Sequence, residues 1–182
     1  MSRASIFDHL RKDHRLVLER IQELERDVFA PGTRRARVRA GGRDTQVRGV
    51  IALLSRQFAT HMAAEDEVLY PALVEALPQT KATVDPLHAE HAELRSMLIR
   101  LEATLSEPPS PARNEQVAVQ TRDLVDLLRI HIRKEETLVL GVAERVLDSR
   151  EIEALKRRVR SRSQVESTKS PSSGRTTKGT EK

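Results

Sequence analysis

Six residues carry the chemistry this sequence can do. His14, His61, Glu65, His91, His131 and Glu135 each interrupt an apolar row that recurs at helical spacing. Residues four apart on a helix differ by roughly 40° in direction, so His61 and Glu65 share a face, as do His131 and Glu135. A single histidine on such a row is more often a hydrogen-bonded core residue than a ligand. Here four rows each carry a histidine, and two carry a glutamate one turn further on. A buried carboxylate without a partner is too costly to persist as an anion. Two of them facing four imidazoles call for a shared positive partner, and metal cations supply it. Imidazole with carboxylate suits iron, zinc, copper or manganese. Two carboxylates able to bridge suit a two-ion centre better than one tetrahedral site.

Four helices must bring these residues together. The first is expected over about residues 5–29, capped by Ser5, with Ile6, Leu10, Val17, Ile21, Leu24 and Val28 as its row and His14 in the gap. Pro31-Gly32 ends it, and TRRARVRAGGRD reads as a basic loop. The second is expected from a cap at Asp44 to about Leu77, along Val47, Val50/Ile51, Leu54, Phe58, His61, Glu65, Leu69 and Leu73, with a kink at Pro71. The third starts either at Asp85-Pro86 or near Lys81 and runs along Val84, Leu87, His91, Leu94, Leu98, Leu101 and Leu105 to the break SEPPSP. The fourth covers about residues 112–147 through Val117, Thr121, Leu124, Leu128, His131, Glu135, Leu138 and Val142. Asp148 and Glu151 can cap a short fifth helix, EIEALKRRV, with Leu155 and Val159 as its apolar side. His9, about 140° from His14, is expected in solvent, and Tyr70, opposite His61, at the periphery.

The chain also repeats itself. An acid-His pair (Asp13-His14, Glu90-His91) precedes an HxxxE stretch followed by a second acid (HMAAED, HIRKEE) in each half, as in a duplicated helical hairpin. The expected architecture is all-α: an antiparallel up-down four-helix bundle over residues 1–160 with a short fifth helix. Residues 161–182, rich in Ser, Thr, Lys, Arg and Gly, cannot bury a core and are expected to form a disordered basic tail.

Composition closes other routes. Of 182 residues, 38% are hydrophobic and 32% charged, which suits amphipathic helices. With no cysteine, disulfides and thiolate-held metals are excluded. Aromatics at 2% are too few for a module that stacks bases. No apolar run is long enough for a signal peptide or a membrane span, so a cytoplasmic protein is expected. The net charge of +5 is uneven. Residues 31–48 hold six Arg and one Asp, and residues 156–182 hold nine Lys/Arg and two Glu, so the remainder is acidic.

KDHRLV, HMAAEDEVLYPAL, AEHAEL and HIRKEETLVL, within roughly residues 5–148, give the joint pattern H…HxxxE…H…HxxxE. That pattern resembles the hemerythrin-like family, or HHE cation-binding domain. The resemblance implies a four-helix bundle holding two iron ions in an oxo- or hydroxo-bridged centre. It implies His14, His61, His91 and His131 as terminal ligands and Glu65 and Glu135 as bridges. The family's oxygen carriers have two histidines four apart on the third helix. Here His88 and His91 are three apart, and His88, about 60° away, becomes a candidate seventh ligand. The carriers' spacing would select Glu136 as the second carboxylate, while Glu135 lies closer to the row.

The implied function is a non-haem di-iron protein that binds, senses or detoxifies oxygen, nitric oxide or peroxide, or takes part in iron homeostasis. The same centre would serve an enzyme of peroxide dismutation or ferrous-iron oxidation. A metal-free interaction or nucleic-acid module working through the arginine-rich loop and tail leaves the six interior polar residues unexplained.

Overall fold

The structure, a computed structural model, describes residues 6–28 and 40–169. The expected Ser5 cap, the Pro31-Gly32 break, most of the arginine-rich loop and the tail beyond Lys169 lie outside these residues. Everything described is helix or short connection, and no strand occurs among the described residues. Helix α1 is Ile6–Val28. Helix α2 starts at Ala40 and ends at Ala76, with π-helical turns at Leu54–Phe58 and Glu65–Leu69. A 3₁₀ turn, Pro78–Thr80, leads into α3, Lys81–Ser106. Helix α4 starts at Pro111, carries a π-helical turn at Glu135–Leu140 and ends at Val146. Helix α5 is Ser149–Lys169. Together they form the all-α bundle expected.

Local chemistry sets the ends. The Ser110 side chain accepts the Arg113 backbone N–H at 3.1 Å, and Pro111 occupies the first helical position, where its missing N–H costs nothing. At α5, Asp148 Oδ1 accepts the N–H groups of Arg150 and Glu151 at 2.7 and 2.9 Å, and Glu151 Oε2 accepts the Asp148 N–H at 2.6 Å. This reciprocal box is the cap expected for the fifth helix.

Two boundaries differ from the sequence expectation, and a third decides between its alternatives. Helix α2 begins at Ala40 instead of Asp44, because Asp44 is drawn into an ion pair with Arg113 at 2.7 Å. The third helix begins at Lys81, the earlier of the two alternatives, and Asp85 pairs with Lys81 at 2.7 Å instead of capping. Helix α5 is longer than the nine residues expected, since its Lys, Arg, Glu and Gln residues are good helix formers. Pro71 follows the Glu65–Leu69 π turn. It has no N–H to offer the Glu67 carbonyl one turn back, which accepts from the Arg158 guanidinium at 3.4 Å.

Two apolar clusters form the core. One holds Val17, Ile21, Phe58, Leu98, Leu124 and their neighbours; the other holds Phe7, Leu10, Leu73, Leu87, Leu140 and theirs, and is closed by Leu155 of α5. Each buried Leu or Phe contributes about 2 kcal/mol through removal from water. Between the clusters lies a layer of buried His and Glu.

Candidate metal centre

His14, His61, Glu65, His91, His131 and Glu135 are all buried, four of the side chains coming one per helix and two arriving one turn after a histidine. Their inner atoms converge. His14 Nε2 and His61 Nε2 are 2.9 Å apart, as are His91 Nε2 and His131 Nε2. Glu65 Oε1 lies 2.8 Å from His61 Nε2, and Oε2 lies 3.6 Å from His91 Nε2. Glu135 Oε2 lies 3.3 Å from His14 Nε2 and 3.6 Å from His131 Nε2. Atoms of His14, His61, Glu65 and Glu135 all fall within 4.8 Å of one another, and so do atoms of His91, His131 and Glu135.

Both Glu65 oxygens and Glu135 Oε2 are fully buried and accept no hydrogen bond. Leaving three such oxygens unsatisfied in a protein interior is expensive. Hard carboxylate oxygens beside imidazole nitrogens are the donor set of a transition-metal site, so the residues fit a bound cation.

The outer nitrogens of the same histidines are also held. His61 Nδ1 meets Asp13 at 3.4 Å, His91 Nδ1 meets Asp66 at 2.7 Å, His131 Nδ1 meets Glu90 at 3.0 Å, and His14 Nδ1 meets Glu136 at 3.2 Å. A carboxylate on Nδ1 places the proton there and turns the Nε2 lone pair inward, as metal-ligating histidines require. The four contacts run from α1 to α2, α2 to α3, α3 to α4 and α4 to α1, a closed ring around the bundle.

The electrostatics follow from this crowding. Burial, then the charge of Glu135, raises Glu65 to about 8, while Glu135 is held down to about 2 as the close His14 imidazole and the His61 charge outweigh its burial. The charge of Glu135 thus opposes ionisation of Glu65 in the metal-free chain. Burial would lower His61, but Glu65 and Asp13 outweigh it and raise it to about 10. Burial lowers His131. Burial would also raise Asp66, yet hydrogen bonds from His91 and Arg95 hold it at about 2.

His88, the candidate seventh ligand, is not brought into the group. Its side chain is 63% exposed and its Nδ1 meets Asp66 Oδ1 at 2.9 Å, outside the inner cluster. Glu136 is 38% exposed and faces the outer nitrogen of His14, so Glu135 is the carboxylate that points inward. His9 lies in solvent at 68% exposed, as expected.

Two residues sit elsewhere than their spacing suggests. Tyr70, expected at the periphery, is buried, stacks on the His91 ring at 5.8 Å between centroids and donates its hydroxyl to Glu135 Oε1 at 2.7 Å. Leu138, expected in the core row, is 48% exposed, whereas Val139 and Leu140 are buried. Both shifts have one cause. A π turn inserts one residue, about 100° of rotation, into the helix. One starts at Glu65 and the other at Glu135, so every later residue turns accordingly. Burial, then the charges of Glu135 and Glu65, raises the Tyr70 hydroxyl well above the usual tyrosine range.

A cleft of about 450 Å³ lined by residues of α1, α2 and α5, including Leu10, Lys12, Arg56, Thr60 and Val159, has Asp13 and His61 in its wall. No described helix is long and apolar enough to cross a membrane.

Residues 5–143 match the family model of the hemerythrin HHE cation binding domain. Among curated proteins, no sequence matches the chain significantly.

Proposed function

Because the chain belongs to the hemerythrin HHE cation-binding family, we propose that its buried layer holds two iron ions and that it binds, senses or detoxifies oxygen, nitric oxide or peroxide, or takes part in iron homeostasis. The observation that carries this reading is the trio of buried, unsatisfied oxygens on Glu65 and Glu135 facing four Nε2 atoms. His14 and His61 would hold one ion and His91 and His131 the other, with Glu65 and Glu135 shared between them. His88 stays outside the ligand set.

Bound iron supplies redox and Lewis-acid chemistry. The protein's part is to hold that chemistry in place and keep it dry. The outer carboxylates keep the Nδ1 protons where they are, so each Nε2 remains available without rearrangement. The two apolar clusters above and below exclude bulk water, which strengthens every charge interaction between them. Asp13 lies in the wall of the open cleft and touches His61, and Glu136, also part exposed, touches His14, so both link a buried ring to the surface.

The test is iron reconstitution followed by metal analysis and optical spectra under air, without oxygen and with peroxide. About two irons per chain and the spectrum of an oxygen-bridged ferric pair are expected. A reconstituted protein that retains no iron overturns the reading. Steady peroxide turnover that disappears in His61→Ala would assign catalysis, and stable reversible binding would assign a carrier or sensor.

A further inference from the structure

Four carboxylate oxygens belong to Glu65 and Glu135, and only three of them are unsatisfied. The fourth, Glu135 Oε1, accepts the Tyr70 hydroxyl at 2.7 Å. Four residues gather within 4.8 Å in the group around His14 and His61 and three in the group around His91 and His131, to which Glu65 also turns its Oε2, 3.6 Å from His91 Nε2. Tyr70 stands on this second side, stacked on His91. His88, which could have completed that side, faces solvent.

From this geometry, and resting on the iron reading above, we propose that Tyr70 is a positioning residue that restrains Glu135 to one coordinating oxygen, Oε2, and so keeps the His91/His131 side of the centre open to a small anionic ligand. Glu65 presents its two oxygens to different halves, Oε1 toward His61 and Oε2 toward His91, as a two-oxygen bridge does. Glu135 faces both halves through Oε2 alone, 3.3 Å from His14 and 3.6 Å from His131. Tyr70 sets that difference. It is 2% exposed and arrives there because the Glu65–Leu69 π turn rotates it inward. Without its hydroxyl, Oε1 has no hydrogen-bond donor and becomes available to the His91/His131 side. A neutral phenol hydrogen-bonded to a carboxylate, not a phenolate ligand, is the state this role requires.

Azide is the probe, read by its charge-transfer absorption on ferric iron in the loaded full-length protein. Tyr70→Phe keeps the ring and its packing on His91 and removes only the hydroxyl. It is expected to retain the wild-type iron content and to bind azide at least about tenfold more weakly, as the freed oxygen takes the open position. Unchanged azide affinity in an iron-loaded Tyr70→Phe protein overturns the proposal. A second readout needs no variant. Tyr70 is the chain's one tyrosine, so a phenolate-to-iron band in the loaded wild type can only come from it. Its absence is expected; its presence makes Tyr70 a ligand and overturns the proposal. A wild-type protein that takes up no iron fails the underlying iron reading instead, which metal analysis registers before azide is added.

Discussion

Replacing Glu65 by glutamine should stabilise the metal-free protein and destabilise the iron-loaded one. In the metal-free chain Glu65 is fully buried and raised to about 8, first by burial and then by the charge of Glu135. In the unfolded chain it titrates as an ordinary glutamate near about 4.3. An acid raised on folding lowers stability as the pH climbs from the unfolded value to the folded one. At pH 7 that penalty is on the order of 3 kcal/mol. Glutamine keeps the shape and removes the ionisation, while burying its own amide costs about 1 kcal/mol. The net gain is about 2 kcal/mol, or roughly 4–8 °C in melting temperature for a domain of this size. With iron bound the balance inverts. The lost anionic oxygen weakens metal binding, and less binding energy is added to the folded state. Melting the chelator-treated and iron-loaded forms of both proteins at pH 7 tests the sign. The metal-free difference should also fade below about pH 4.5, where both states are protonated. A metal-free Glu65→Gln protein that melts below metal-free wild type refutes the reasoning.

Other consequences are more local. His88→Ala should leave iron content unchanged by metal analysis, since His88 is exposed and outside the donor groups. Leu138→Gln should change urea stability by less than about 0.5 kcal/mol, whereas Val139→Ala, one residue on, should cost about 2 kcal/mol. Arg113→Ala should cost about 3 kcal/mol in the same melts, because its buried guanidinium holds the Thr104 and Leu105 carbonyls at 3.2 and 2.7 Å and pairs with Asp44.

The rows along α1 as far as Leu24 and along α3 were legible residue by residue, because nothing interrupts their α-helical period. The six inner residues were legible because each polar side chain stands beside apolar neighbours of its own row, His61 and Glu65 even after the Leu54–Phe58 π turn. Two side chains escaped at the later π turns. Tyr70 and Leu138 were assigned by extending 100° steps past Glu65 and Glu135, and the inserted residue sent each to the wrong side. No local signal in EDEVLYP or EETLVLG announces the turn. The start of α2 escaped for a different reason. Asp44 reads as a cap after the basic loop, yet the Asp44–Arg113 pair ties the helix there to α4, a contact between residues far apart in sequence. The acid-His repeat was visible, but its meaning depends on which helix neighbours which.

That meaning can be derived once the order of helices is known. Successive residues on a helix point about 100° apart. A residue beside an inward ligand therefore points sideways, at the next helix. Asp13 precedes His14 and reaches His61; Asp66 follows Glu65 and reaches His91; Glu90 precedes His91 and reaches His131; Glu136 follows Glu135 and reaches His14. The repeat thus encodes ligand and orienting acid together, and each helix orients a histidine of its neighbour. The four acids are not equally free to do so. Asp66 also binds Arg95 and His88, and Glu90 also binds Lys134. Asp13 lies 3.9 Å from the exposed His9, so its influence falls mainly on His61. Asp13→Ala should weaken iron binding about 10–100-fold in competition with a chelator, through loss of His61 orientation. Asp66→Ala should match that loss and also unfold more readily, since it frees Arg95. An iron affinity unchanged in Asp13→Ala would mean that packing alone orients His61, with Phe58 stacked on its ring at 5.0 Å the residue responsible.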